Sequence, residues 1–251
     1  GNWLNRKRNW KKLGIKSEVS REDIRLLAVG DSIAKDGFGT VSIFDPVICE
    51  VVYKWFCPDK GTILDPFAGG SVRGIVSNYL GYNYTGVDIR QEQVDANIQQ
   101  GIDLTPNHQP KWICGDSNEV LDTIQDEYDL VFSCPPYADL EVYSQLDGDI
   151  SNKSYNDFLD LYGSIIQKSC DKLKSGGYAA WVLGDIRVKR GNYRSFVADT
   201  INAFLNAGLA LYNDAVLIKP YGTAALRARP YFERGRKLVK VHENLLIFKK
   251  P

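Results

Sequence analysis

Thr62-Ile63-Leu64-Asp65-Pro66-Phe67-Ala68-Gly69-Gly70-Ser71 reads as a short buried strand, Thr62 to Asp65, that runs straight into a glycine-rich turn. A helical pattern follows through Val72, Ile75, Val76 and Tyr79 to a stop at Gly81. Glycines at such a handover let the backbone approach a ligand closely, with a helix N-terminus just behind. They serve equally for tight strand–helix packing, so the turn alone decides nothing about chemistry. It is not a G-x-G-x-x-G turn and no P-loop lysine follows, which favours a nucleoside without a pyrophosphate over a dinucleotide or triphosphate.

The same grammar repeats on both sides. Upstream, Asp45 caps a helix with Pro46 in its first turn, and Val47, Ile48, Val51, Val52, Trp55 and Phe56 share one face before Pro58 and Gly61 end it. Downstream, strands are expected at Tyr84–Asp88, Trp112–Asp116, Asp129–Ser133 and Tyr178–Leu183. Helices are expected at Gln91–Gln100, Tyr155–Leu173 (closed by Lys174-Ser175-Gly176-Gly177) and Phe196–Leu205. The last strands are Leu209–Ile218 and Asn244–Phe248. Strands alternating with helices of this length specify an α/β fold with a doubly wound, mostly parallel sheet. Residues 41–251 make one domain and residues 1–40 a basic N-terminal arm, with a short amphipathic stretch at Glu22–Val29.

In an open sheet of this kind ligands collect at the carboxyl ends of the strands. Asp88 ends the second strand, eighteen residues after Gly70, where a carboxylate accepts hydrogen bonds from ribose hydroxyls. Asp116 ends the third; it contacts an adenine edge or, equally, caps a helix that begins at Ser117 and Asn118. Val131-Phe132-Ser133-Cys134-Pro135-Pro136-Tyr137 ends the fourth, its two prolines forbidding further strand or helix and leaving an aromatic at the mouth. A rigid turn ending in an aromatic is a platform for something flat.

Composition is that of a water-soluble globular chain, 44% apolar and 25% charged. No apolar run approaches the roughly 20 residues that cross a bilayer, and no stretch reads as a secretion signal. Five dispersed cysteines without metal-ligand spacing, and two distant histidines, fit a reducing, cytoplasmic setting and no metal site. The formal net charge is zero but segregated. Residues 1–16 and residues 218–240 each carry a net +6, so the rest carries −12. The second stretch holds Arg227, Arg229, Arg234 and Arg236 among Tyr221, Tyr231 and Phe232, and exceeds what a hairpin between the last strands needs. Each stretch is either a solvated face or a polyanion contact; together, with interleaved aromatics, they favour the polyanion. Arg187, after the fifth strand, reaches a phosphate or sits on a solvated turn, and the long acidic stretch Ala138–Lys153 reads as a lid or pocket wall.

The order of these features resembles the amino-group DNA methyltransferases. Asp65-Pro66-Phe67-Ala68-Gly69-Gly70, Asp88, Asp116 and Ser133-Cys134-Pro135-Pro136-Tyr137 are similar to that family's ordered motifs. Phe44-Asp45-Pro46 is similar to the motif preceding its glycine turn, and Tyr178–Asp185 and His242–Lys249 to its later strands. The resemblance spans roughly residues 41–250, and its general look is that of short methylases of bacteriophages and prophages. It implies a Rossmann-like methyltransferase fold and transfer of a methyl group from S-adenosylmethionine to adenine N6 or cytosine N4, of the kind used in DNA methylation and restriction–modification. Asp65, Phe67, Gly69 and Gly70 would then line the methionine part of the cofactor with Asp45 nearby, Asp88 would hold the ribose and Asp116 the adenine. Pro135 would offer its carbonyl to the target amine, Tyr137 would stack on a base extruded from duplex DNA, and residues 218–241 would be a DNA-contacting insertion. Cys134 departs from the family, which places Asp, Asn or Ser before the prolines; a thiol is a weak acceptor. Ser133 or a neighbour substitutes, or the amine is held differently, or activity is low, or Cys134 is itself a nucleophile. Methylation of RNA bases, and a catalytically weak cofactor- and nucleic-acid-binding protein, are the alternatives the resemblance leaves open.

Overall fold

The computed structural model describes residues 1–15, 44–137, 150, 153–188, 191–218 and 224–251. Seven strands form one sheet: β1 (Thr62–Asp65), β2 (Asn83–Asp88), β3 (Lys111–Cys114), β4 (Tyr128–Ser133), β5 (Leu173–Leu183), β6 (Ala210–Ile218) and β7 (His242–Lys249), in the order β3-β2-β1-β4-β5-β7-β6. All neighbouring pairs are parallel except those of β7, which runs antiparallel to both β5 and β6. Among the described residues the helices are α1 (Asn2–Lys12), α2 (Pro46–Phe56), α3 (Val72–Tyr79), α4 (Gln91–Leu104), α5 (Ser117–Thr123), α6 (Tyr155–Asp171), α7 (Phe196–Asn206) and α8 (Ala224–Gly235).

The strands are short apolar runs because both faces are covered. Side chains alternate across the sheet, so Ile63, Leu130, Phe132, Ala180, Val182 and Ile247 meet α2, α3 and α4. Leu64, Val131, Ala179, Trp181, Leu246 and Phe248 meet α5, α6 and α7 on the other side. The chain leaves β1 toward β2 and β3, then returns to β4 on the opposite flank of β1. That reversal is the topological switch point, where a crevice opens beyond the strand ends. The glycine turn and the Pro-Pro-Tyr turn flank it, because β1 and β4 are neighbours with Leu64 opposite Val131.

Several boundaries differ from the sequence expectation, each for a physical reason. Helix α6 stops at Asp171, short of Leu173, because Lys250 Nζ donates to the carbonyls of Cys170 and Leu173, at 2.8 and 2.6 Å. Strand β5 therefore begins at Leu173, and Ser175-Gly176-Gly177, with Gly176 at φ +76°, lies inside it. β3 ends at Cys114 and not Asp116, since Gly115 at φ +154° turns the chain and Asp116 caps α5. α5 is the helix that the cap alternative for Asp116 implies, whereas α1 and α8 are helices that the sequence pattern does not announce. The Glu22–Val29 stretch and nearly all of Ala138–Lys153 lie outside the described residues.

Candidate functional site

Asp65, at the end of β1, is completely buried and takes four donors. Its Oδ1 accepts from the Ser133 hydroxyl at 2.6 Å and the Phe67 amide at 3.2 Å; its Oδ2 accepts from Arg73 Nε and, at 2.7 Å, from the Tyr84 hydroxyl. Arg73, on α3 and also buried, turns its other arm to the carbonyls of Phe67 (2.6 Å) and Ala68 (2.8 Å), and Phe44 lies 4.8 Å from its guanidinium. Burial alone pulls the Arg73 pKa down, but the adjoining Asp65 carboxylate outweighs it and the guanidinium is held well above its ordinary value. The same burial, with Asp65 beside it, holds the Tyr84 phenol well up and therefore neutral.

The rest of the turn is fixed from outside in the same way. Ser117 Oγ donates to the Pro66 carbonyl at 2.5 Å, and Asn97 Nδ2 to the Gly69 carbonyl at 2.7 Å. The carbonyls of residues 66, 67, 68 and 69 are thus each held by a side chain from α3, α4 or α5. On the amide side, Ala68 N–H donates to the Val87 carbonyl and Gly69 N–H to Asp88 Oδ2, both at 2.9 Å. Gly69 sits at φ +53°, a conformation glycine reaches without strain.

This corrects two expectations. Asp65 and Ser133, read from sequence as ligand-facing, are sealed beneath the site and bonded to one another. Ser133 therefore does not offer its hydroxyl to a substrate amine in place of Cys134; it ties the end of β4 to the end of β1. Asp45 is half-exposed; its Oδ1 caps α2 through the Val47 amide at 3.0 Å, and its Oδ2 takes Lys7 at 2.8 Å and Trp3 Nε1 at 3.3 Å. Arg73, Tyr84, Asn97 and Ser117 were missed. An arginine eight residues after the strand's aspartate, inside an apolar helix face, was the signal for the first of them.

What remains partly open to solvent outlines the crevice. Phe67, Gly69, Gly70, Asp88, Asp116, Cys134, Pro136 and Tyr137 are half-exposed, whereas Pro135 is buried. Asp88 is oriented by two amides, Gly69 to Oδ2 and Arg90 to Oδ1, each 2.9 Å. Asp116 caps α5 through the Asn118 amide to Oδ1 at 2.8 Å and remains half-exposed, so the cap does not exclude a ligand contact. Phe67 lies against Tyr162 and Trp181, ring centroids 6.1 Å apart in each case. Two carboxylates at the ends of adjacent strands suit a ligand that presents hydroxyl and amino donors and would repel phosphates, in keeping with a nucleoside. Tyr137 packs edge-on against Phe196 (6.3 Å, 67°), and its hydroxyl lies 3.5 Å from Glu243 of β7.

The basic side chains are placed by topology. β6 runs parallel to β5, so the β6–β7 connection, with α8, leaves from the same edge of the sheet as the Pro-Pro-Tyr turn. On α8 only Ala224 is buried; Arg227, Arg229, Arg234 and, just beyond it, Arg236 are exposed, as are Leu226, Tyr231 and Phe232. Arg229 pairs with Glu233 at 2.7 Å and Arg236 lies over Phe232 at 4.9 Å. Arg187, past β5 on that edge, bridges to Tyr193 and stacks its guanidinium 3.8 Å from that ring. The N-terminal basic stretch behaves otherwise: α1 buries Trp10 and directs Arg6, Lys7 and Trp10 onto Glu50 and Asp45 of the α2 region. Among the described residues, no three His, Cys, Asp or Glu side chains gather as a metal site, and no helix is long and apolar enough to cross a membrane.

No family model matches this chain, and no curated protein matches it. Solved structures do. TrmN from Thermus thermophilus aligns with a TM-score of 0.54 at 14% identity, over 82% of this chain and 49% of that one. A methyltransferase from Pyrococcus furiosus aligns at 0.55 and 16% identity, over 91% and 97%. Magnesium protoporphyrin IX methyltransferase from Synechocystis PCC 6803, with bound SAM, aligns at 0.53 and 11% identity, over 96% and 97%. This chain thus spans about half the length of TrmN and matches the other two nearly end to end. At these identities the likeness is one of architecture: the chain has the Rossmann-like fold of the class I methyltransferases.

Proposed function

We propose that this chain transfers a methyl group from S-adenosylmethionine to the exocyclic amine of a DNA base, adenine N6 or cytosine N4. The observation that carries the reading is the Ser133–Asp65 hydrogen bond. It ties the end of β4 to the end of β1, so that the Pro-Pro-Tyr turn and the glycine turn adjoin across one strand boundary. The class I fold and the donor-seeking carboxylates support the cofactor. Asp88, held by the Gly69 and Arg90 amides, accepts the ribose hydroxyls; Asp116 faces the adenine; Phe67, Gly69 and Gly70 line the methionine end.

S-adenosylmethionine supplies an electrophilic methyl on a sulfonium, and the chain's own residues supply alignment. Direct transfer to nitrogen needs the amine's lone pair aimed at that methyl more than it needs a strong base. Pro135, fixed by Pro136 and by the Ser133 anchor, offers its carbonyl to one amine hydrogen. Tyr137, half-exposed at the rim and backed by Phe196, stacks on the extruded base. Arg187, Arg227, Arg229, Arg234 and Arg236 meet phosphates, which supports a polyanionic substrate and gives binding a steep salt dependence.

Labelled cofactor incubated with pure protein and duplex DNA, single-stranded DNA, tRNA or rRNA tests the reading. Label is expected in DNA. Label confined to RNA would redirect the chemistry to RNA bases. No transfer to any of them, with cofactor binding intact, would leave a binding protein and overturn the assignment.

A further inference from the structure

The amine of a base has two hydrogens, and aiming its lone pair takes two acceptors. The Pro-Pro-Tyr turn supplies one, the Pro135 carbonyl. Its side chains do not supply the second: Ser133 is buried and donates to Asp65, and a thiol at Cys134 accepts weakly. Among the described residues, the other acids at this end of the sheet point elsewhere. Asp65 is sealed below the turns, Asp185 Oδ1 takes the Val197 amide at 3.1 Å, and Asp199 takes the Tyr155 hydroxyl at 2.7 Å. Asp88 and Asp116 stand on the far flank of β1, at the ends of β2 and β3.

Among the described residues, Glu243 is a carboxylate brought to the turn from a distant part of the sequence. Glu243 is the second residue of β7, next to the end of β5, where a Cβ placed on Gly184 would meet its Cγ at 3.4 Å. It is half-exposed, and its Oε1 lies 3.5 Å from the Tyr137 hydroxyl, across 106 residues of chain. A flat ring resting on Tyr137 therefore has this carboxylate at its edge.

We infer that Glu243 is the second hydrogen-bond acceptor for the target amine, doing from β7 what the residue before the prolines does not do here; the inference rests on the base-amine reading above. The Glu243 carboxylate takes one N–H while the Pro135 carbonyl takes the other. As the nitrogen forms its bond to the methyl carbon, the methyl–sulfur bond breaks and its electron pair stays on sulfur. The nitrogen then carries the positive charge and loses one proton, through the Glu243 carboxylate to water.

The test compares wild type with Glu243→Gln, Glu243→Ala and Glu243→Ala/Cys134→Asp on the DNA that wild type labels, with melting temperatures confirming that each is folded. Losing one charge-assisted hydrogen bond should lower kcat by about 10- to 100-fold, with KM for DNA within about twofold. Cys134→Asp should restore at least about tenfold of that loss, because it returns an acceptor at the turn. A second readout needs no turnover: without cofactor, wild type should bind an oligonucleotide bearing the labelled base more tightly than one whose base lacks the amine, and Glu243→Ala should lose that preference. An active wild type with unchanged kcat in Glu243→Ala, or no restoration by Cys134→Asp in a folded double variant, overturns this role alone. A wild type that transfers nothing to any base overturns the function and this role with it.

Discussion

Helix α1 directs Arg6, Lys7 and Trp10 onto Glu50 and Asp45 and buries Trp10, whereas α8 shows Arg227 and Arg234, with Arg236 just beyond it, to solvent beside Tyr231 and Phe232. Both segments are short, cationic and aromatic. What separates them is whether the fold supplies matching acids. α1 has Glu50, whose carboxyl is held at about 2 because hydrogen bonds from Arg6, Trp10 and Lys54 outweigh the upward push of burial. α8 has Glu233 of its own and, among the described residues, only Ala224 as a buried anchor. Among the described residues, matched charge belongs to the fold, and the unmatched charge on and beside α8 is what the proposed function assigns to nucleic acid. The extreme of matching is Asp65 with Arg73, both buried, beneath the two turns.

That contrast is broken most violently at Asp65. Asp65→Ala leaves Arg73 buried without its partner and should cost about 3–5 kcal/mol of stability in denaturant unfolding. A loss under about 1 kcal/mol would show that the pair is not what holds the turns. Glu50 gives a pH-dependent version. Its folded pKa lies below its ordinary 4.5, so its stabilisation is complete above about 4.5 and lost as pH falls through about 2. Wild type should exceed Glu50→Gln by an amount on the order of 2–3 kcal/mol at neutral pH, and the gap should close across that window in thermal scans. A gap indifferent to pH would mean that the Glu50 carboxylate does not help to hold α1. Smallest in stability, and largest in binding, is the joint replacement of Arg227, Arg229, Arg234 and Arg236 by Ala. Exposed sites of this kind stay within about 0.5 kcal/mol. Nucleic-acid affinity should fall and its salt slope flatten by roughly 0.9 for each phosphate no longer neutralised, while cofactor affinity holds. An unchanged slope would remove α8 from the interface.

Most of the fold was legible because its strands are continuous apolar runs bounded by glycine and proline, and the helices between them have clear faces. Asp88 and Asp116 were legible for the same reason: a polar residue at the end of an apolar run marks the open edge of the sheet. The roles of Asp65 and Ser133 were not, because a motif reports which residues recur together and not which way they point. Their burial is settled by Arg73 and Tyr84, partners from α3 and β2 that local pattern does not pair with them. The fate of α1 was hidden likewise, since its acids lie some 40 residues on, at Asp45 and Glu50. Glu243 is the furthest case, more than a hundred residues from the turn it adjoins. The helix in residues 224–235 escaped notice because Pro230 interrupts its pattern and no buried stripe marks it.

The central claim is that two turns joined by Asp65 and Ser133 bring a sulfonium methyl to a base amine. Mass spectrometry of nucleosides from DNA exposed to the protein and S-adenosylmethionine tests it most directly. N6-methyladenine or N4-methylcytosine is the expected product. Carbon-5 methylcytosine would contradict it by making Cys134 a nucleophile, and unmodified nucleosides from a protein that binds the cofactor would contradict it altogether.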